Sequence, residues 1–335
     1  MSSTPISRWK AWRYRGEWLL CAGMERAIPL LPRRLCAALA EAVGSLAFWL
    51  DRHGRAVALA NLEAVFGATH PEAERRRIAR RSYQVFARNM FDLFWSRRLT
   101  PENYTRYIEL AGDVDPQFLN QTPKDAKTTG GIVIGSHSGN FEWGSIGFGF
   151  KGVRGMLVTE TFKNPLLAPI FERMRGVSGN VAIPQEISML RMLRALHRKE
   201  IAGLLIDLNL RPDQPAVVID AFGRKMCVTH LHASLAQRTG AAFLPLETEP
   251  LPGGRVRAIL HPPLAVPPGA TVQEITQQCW NFFEARIRER PELWMWAYKH
   301  WRYRPQDAAP ESYPFYANTN RKFEALLAQS TAPQA

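Results

Sequence analysis

The stretch Ile132-Val-Ile-Gly-Ser-His137-Ser-Gly-Asn-Phe-Glu142 closes a short apolar run with a histidine and places a carboxylate five residues later. An imidazole titrates near neutral pH and is well suited to take a proton from a hydroxyl. A carboxylate on its other nitrogen would fix the tautomer and stabilise the imidazolium. Residues five apart on one helix point about 140° away from each other, so His137 and Glu142 meet only if the histidine lies in a turn. Glu142 would then sit in the first helical turn, with Ser138 or Asn140 as its cap. In that arrangement Gly139 and the free N–H groups of the helix start would hold a phosphate or an oxyanion. Taken alone, the pair fits a hydrogen-bonded structural histidine equally well. The other cluster with metal-ligand chemistry is Cys227, His230 and His232. On the helix expected there, residues two apart point about 200° from one another, so no metal site is expected. With no Walker loop or dinucleotide fingerprint, no cofactor is expected either.

The elements that must position His137 follow from the surrounding pattern. GGIVIGSH (130–137), RGMLVTE (154–160), IAGLLIDL (201–208) and AVVIDAFG (216–223) read as strands, and AAFLPLETE with RVRAILHPPL reads as a hairpin around Pro252–Gly254. Helices are expected near 141–149, 164–176, 186–199, 229–239 (with Thr229 as its cap) and 271–290. The alternation predicts a mixed α/β sheet flanked by helices, with His137 where a strand end meets a helix, the usual place for ligand sites in such sheets. Length (335 residues), 46% hydrophobic and 22% charged residues describe a globular chain. The four cysteines are scattered without a CxxC pair, which argues against a disulfide framework and for a reducing compartment.

Charge divides the chain. The net charge is +13, and the first 100 residues hold 17 basic and 8 acidic side chains. Such an excess implies anionic partners. Only seven uncharged residues separate Glu17 from Glu25 and nine separate Glu41 from Asp51, too few for a spanning helix, and no cleavage site follows a clean apolar core. Trp9, Trp12, Tyr14, Trp18, Leu19 and Leu20 interleave with Arg8, Lys10, Arg13 and Arg15, a composition suited to a bilayer interface or to a helix packing its aromatics on the protein. Farther on, Ile78, Val85, Phe86, Met90, Phe91 and Phe94 recur at helical spacing opposite an arginine-rich side. No helix-turn-helix, zinc-finger or RNP pattern accompanies the arginines, and no nucleic acid is expected. These signals partition the chain into an amphipathic membrane-interface segment (1–50), a basic helical region (51–105), an α/β core (106–305) and a loosely attached tail (306–335).

Beyond His137-Ser-Gly-Asn-Phe-Glu142, further segments occur in a telling order: Phe162-Lys163-Asn164-Pro165-Leu166 with Arg175-Gly176, Asp207 after Leu204-Leu205-Ile206, Phe222-Gly223 with Thr229, Gly240-Ala241 with Pro245, and Pro291-Glu292-x-Trp294-x-Trp296 with His300-Trp301-Arg302. From about Asn61 to Pro305 the chain resembles the late acyltransferases of lipid A biosynthesis, a family with an H-x4-D/E signature. It departs from their pattern in Asp207-Leu208 for Asp-Gln, in Ala221-Phe222 for a double phenylalanine, and in an interrupted amphipathic segment where the family has a spanning helix. The Ser138-Gly139-Asn140 run is also similar to relatives that acylate other glycolipids or lysolipids.

The resemblance implies a glycerolipid-acyltransferase-like fold and transfer of a fatty acyl chain from a thioester, on acyl carrier protein or coenzyme A, to a hydroxyl of a lipid A precursor or a related glycolipid or lysolipid. In that reading His137 is the general base and Glu142 orients it, while Arg175 contacts the oxyanion or a phosphate. Ser138, Asn140, Lys163, Asn164, Arg173 and Asp207 are substrate-binding candidates. Lys163, Arg173 and Arg175 would form a cationic entrance for an anionic acceptor and an acidic carrier protein. The expected location is the cytoplasmic face of the cell inner membrane, in peripheral or monotopic attachment. The alternative is a noncatalytic, arginine-rich membrane- or nucleic-acid-binding protein that retains the fold.

Overall fold

The structure is a computed structural model and describes residues 7–112, 130–159 and 162–331. Four helices come first: α1 (Arg8–Ala27), α2 (Arg33–Leu50), α3 (Arg52–Phe66) and α4 (Glu72–Trp95). The sheet strands then alternate with helices: β1 (Ile108–Ala111), β2 (Ile132–Gly135), α5 (Phe141–Phe150), β3 (Gly155–Thr159), α6 (Ala168–Arg175), β4 (Val181–Pro184), α7 (Ser188–His197) and β5 (Ile201–Leu205). After β6 (Ala216–Ala221) and β7 (Arg224–Thr229) come α8 (Leu231–Thr239), β8 (Phe243–Leu251), β9 (Arg255–Leu260), α9 (Val272–Glu289) and α10 (Arg321–Thr331).

Seven strands form one sheet in the order β1-β9-β8-β2-β5-β3-β4, parallel except for the β8–β9 hairpin. Central β2 and β5 are covered on both faces, which explains their unbroken apolar sequences. Along β2, Ile132 and Ile134 enter a core with α3, α8 and α9, whereas Val133 packs into a second core with α1, α4 and α5. The hairpin expected at Pro252–Gly254 is present, and Gly253 and Gly254 take positive φ there.

Several expectations change. The strand at 216–223 does not join the main sheet; β6 pairs antiparallel with β7 in a separate two-stranded ribbon. Thr229 is therefore the last residue of a strand, and its hydroxyl accepts from the Leu231 N–H. Residues 306–331 are not loosely attached: Phe323 is fully buried against β6 and β7, and the Tyr316 hydroxyl bonds to Asn61, while the expected tail's last residues, 332–335, lie outside the described residues. On α4 the inward face runs through Ile78, Ala79, Ser82, Asn89, Asp92 and Leu93, while Phe86 is exposed, so this helix turns several polar side chains toward the core.

Candidate functional site

β2 ends at Gly135, and residues 136–140 turn the chain into α5. Gly139 has φ +61° and its Cα lies against the Thr248 backbone, so a side chain would be both strained and blocked. Asn140 is the N-cap; its Oδ1 accepts from the Trp143 N–H at 3.0 Å. The His137 ring meets Phe141 edge-on with ring centres 5.0 Å apart, and 19% of the His137 side chain is exposed.

The partner of that ring arrives from the neighbouring strand. β5 lies parallel to β2 with Leu205 opposite Gly135, which carries Asp207, two residues on, to the turn. Asp207 is fully buried, and its carboxylate accepts three N–H groups: His137 Nδ1 on Oδ1 at 2.8 Å, the His137 backbone on Oδ2 at 2.9 Å, and Trp294 Nε1 on Oδ2 at 2.7 Å. Burial works against its charge, but His137 and these donors outweigh it and hold the carboxyl below the usual carboxylate range. In the neutral imidazole a carboxylate at this position takes the Nδ1–H bond and leaves the Nε2 lone pair open.

Glu142 belongs to a different ion pair. From the first turn of α5 its buried carboxylate is gripped by Arg175 at the end of α6, with Nε at 3.1 and 3.0 Å from its two oxygens and Nη2 at 2.6 Å from Oε1. Burial alone would loosen the Arg175 proton, but Glu142 reverses this and holds the guanidinium charged. The expected Glu142–His137 hydrogen bond is therefore replaced by one from His137 to Asp207. A spacing argument weighs only chain neighbours, whereas the parallel pairing of β2 and β5 brings in a carboxylate from 70 residues away.

The remaining candidates are mostly occupied by the protein itself. The Ser138 backbone bridges to Trp294, and its carbonyl accepts from Thr248 Oγ1. Asn164 donates to the Tyr14 carbonyl and to Glu17, while Arg173 pairs with Glu25, so both fasten α1 to the core. Lys163 is exposed. The helix-start N–H groups expected to cradle an anion are also taken: Gly139 donates to Leu293 O, Glu142 to Asn89 Oδ1 and Trp143 to Asn140.

Two features escaped the sequence reading. Beneath the turn, the fully buried Asp92 binds Arg33 through both oxygens and accepts from Asn140 Nδ2 at 2.6 Å, while Arg33 also donates to Gly254 O and lies over the Trp143 ring at 4.5 Å. This clasp joins α2, α4, the β8–β9 turn and the N-cap of α5. The second is a cleft of about 230 Å³ beside the turn, lined among others by Ser136, Ser138, Thr248, Glu249, Arg286 and Arg290. Its only sequence signal was position at the carboxyl end of a parallel strand.

Among the described residues no helix is long and apolar enough to cross a membrane. Comparison with known proteins places the chain. Residues 7–303 match the family described as bacterial lipid A biosynthesis acyltransferase, a match that takes in α1 as well as the sheet. The chain is also similar to the lipid A biosynthesis lauroyltransferase of Escherichia coli (strain K12), 24% identical over 302 residues, covering 88% of this chain and 94% of that one. A noncatalytic reading of the fold falls away: the chain belongs to the bacterial lipid A biosynthesis acyltransferase family and is an acyltransferase.

Proposed function

We propose that this acyltransferase moves a fatty acyl chain from an acyl carrier protein or coenzyme A thioester to a hydroxyl of a lipid A precursor or a related anionic glycolipid or lysolipid, with His137 as general base and Asp207 as its orienter. The observation that carries this reading is the fully buried Asp207 carboxylate bonded to Nδ1 of a partly exposed histidine. His137 Nε2 takes the hydroxyl proton as the oxygen attacks the thioester carbonyl. The tetrahedral intermediate then collapses with cleavage of the C–S bond, and the imidazolium returns its proton to the departing thiolate. Asp207 stabilises the imidazolium between these steps. Arg175, with Nε and Nη2 committed to Glu142, keeps Nη1 for the oxyanion or a phosphate; Glu142 acts by aiming that fork. The cleft beside Ser136 and Ser138, with hydroxyls, arginines and carboxylates together, suits a polyhydroxylated headgroup.

Attachment to the cytoplasmic face of the inner membrane is part of the same reading. α2 exposes Leu35, Ala38, Leu39, Ala42, Val43, Leu46, Trp49 and Leu50, one continuous apolar stripe at helical spacing. On α1, Trp9 and Trp12 are 79% and 68% exposed, among exposed Arg8, Lys10, Arg13 and Arg15. An apolar stripe edged with cations fits a helix lying in the plane of an anionic bilayer. The test is mass spectrometry of a reaction of purified protein, either thioester donor and a phosphorylated glycolipid acceptor. The reading predicts an ester adduct that is missing with His137→Ala; equal product from that variant would overturn it.

A further inference from the structure

We propose that Trp294 is a positioning residue for the base: its indole N–H holds Oδ2 of Asp207 and thereby sets both the aim and the basicity of His137. The inference rests on the reading of His137 as base and adds to it a residue that never touches substrate.

Trp294 has no exposed surface, and its Nε1–H lies 2.7 Å from Asp207 Oδ2. Its backbone is fixed from several directions. It bridges to Ser138, the preceding Leu293 carbonyl accepts from Gly139, and its own carbonyl accepts from Ser82 on α4. The indole is stacked on His300 with ring centres 3.9 Å apart and meets the edge of Trp296 at 4.7 Å. One residue is thus laced to the base's own turn by its backbone and to the base's carboxylate by its side chain. A tryptophan whose task was only to fill the core would not need its single polar atom aimed at the one buried carboxylate that holds His137.

The chemical consequence has a definite sign. A carboxylate shared among three donors gives less of its charge to any one of them. Removing the indole N–H leaves Oδ2 with the backbone donor alone and concentrates charge against Nδ1–H, which favours the imidazolium. The acid limb of kcat/KM should therefore move up. The titratable groups facing Asp207 are His137 from the β2 turn and His300 from the segment after Trp294. His300 is fully buried, and burial lowers its pKa to about 4, well below the limb in question.

The first experiment records pH profiles of kcat/KM for wild type and Trp294→Phe. The inference predicts a limb about one pH unit higher in the variant, with KM for both substrates within about twofold of wild type. A folded Trp294→Phe protein with an unmoved limb would overturn it. The second experiment does not require that variant to fold. With 5-fluorotryptophan incorporated throughout, one ¹⁹F resonance should titrate with the midpoint of the acid limb, and that titration should vanish in His137→Ala. A resonance set that titrates only near 4, or not at all, contradicts the proposal. Loss of activity in His137→Ala alongside an unshifted Trp294→Phe refutes this inference alone, whereas an active His137→Ala protein refutes the reading on which it rests.

Discussion

Replacing Asp92 by alanine should be among the most damaging single changes outside the site. The carboxylate has no exposed surface, and its partner Arg33 is itself buried, only 8% of the side chain reaching solvent. Arg33 makes its two charge-assisted bonds to Asp92 and its remaining contacts to the Gly254 carbonyl, the Cys36 thiol and the Trp143 and Trp95 rings. None of these supplies a negative charge. Removing the acid leaves a buried guanidinium uncompensated, a change that costs about 3–5 kcal/mol. The lost bond from Asn140 Nδ2 falls within the same loss rather than adding to it, because both donors share one carboxylate. Equilibrium urea unfolding at pH 7, followed by tryptophan fluorescence, measures the difference directly, with an unchanged slope expected if only stability changes. The double variant Arg33→Met with Asp92→Leu should recover part of the loss, since it removes the unpaired Arg33 charge, while Arg88, whose Nε lies 3.6 Å from Asp92 Oδ2, keeps only the more distant Glu41. A loss below about 1 kcal/mol in Asp92→Ala would mean that the clasp is solvated and that Asp92 does not hold the N-cap of α5.

Other outcomes follow from separate parts of the molecule. Leu39→Glu with Leu46→Glu should leave the unfolding midpoint nearly unchanged, because both side chains are exposed, yet release the protein from anionic liposomes in a sedimentation assay. Glu142→Gln and Arg175→Lys should each lower kcat/KM by about 10–100-fold, and the double variant should be no worse than either, because the two act as one fork; steady-state kinetics of the three proteins decides this. Asp207 is held below the usual carboxylate range, so it contributes stability above the unfolded-state value of about 4 that is lost as pH falls through its lower folded value. Acid unfolding of Asp207→Asn should accordingly be shallower below that pH than that of the wild type.

Much of the architecture could be read from local pattern, and the failures share one physical cause. The run from Ile132 to Gly135, the glycine-containing turn and the helix after Asn140 are all properties of adjacent residues, and so is the β8–β9 hairpin. What pairs with what across the sheet is not. Asp207 carried the same local signature as any acid after a strand, and only the parallel register of β2 and β5 makes it the partner of His137. Asp92 offered a faint signal: it stands between Phe91 and Leu93 on a helix whose other charges lie mostly toward its beginning. Counting hydrophobic spacing on α4 passed over it, because a buried charge is recognisable only through its partner, here on a helix 59 residues earlier. The docking of residues 306–331 is signalled in the sequence by Tyr313, Tyr316 and Phe323, aromatic side chains unusual in a free tail.

The most direct test of the account is kcat for acyl transfer by Asp207→Asn beside His137→Ala and the double variant, at saturating donor and acceptor. Asparagine keeps the size of the side chain while removing the charge that fixes the proton on Nδ1. The account predicts a fall of about 10³–10⁴-fold for each single variant and no further fall when they are combined, as for groups that act as a unit. An Asp207→Asn protein within about tenfold of wild type would contradict it.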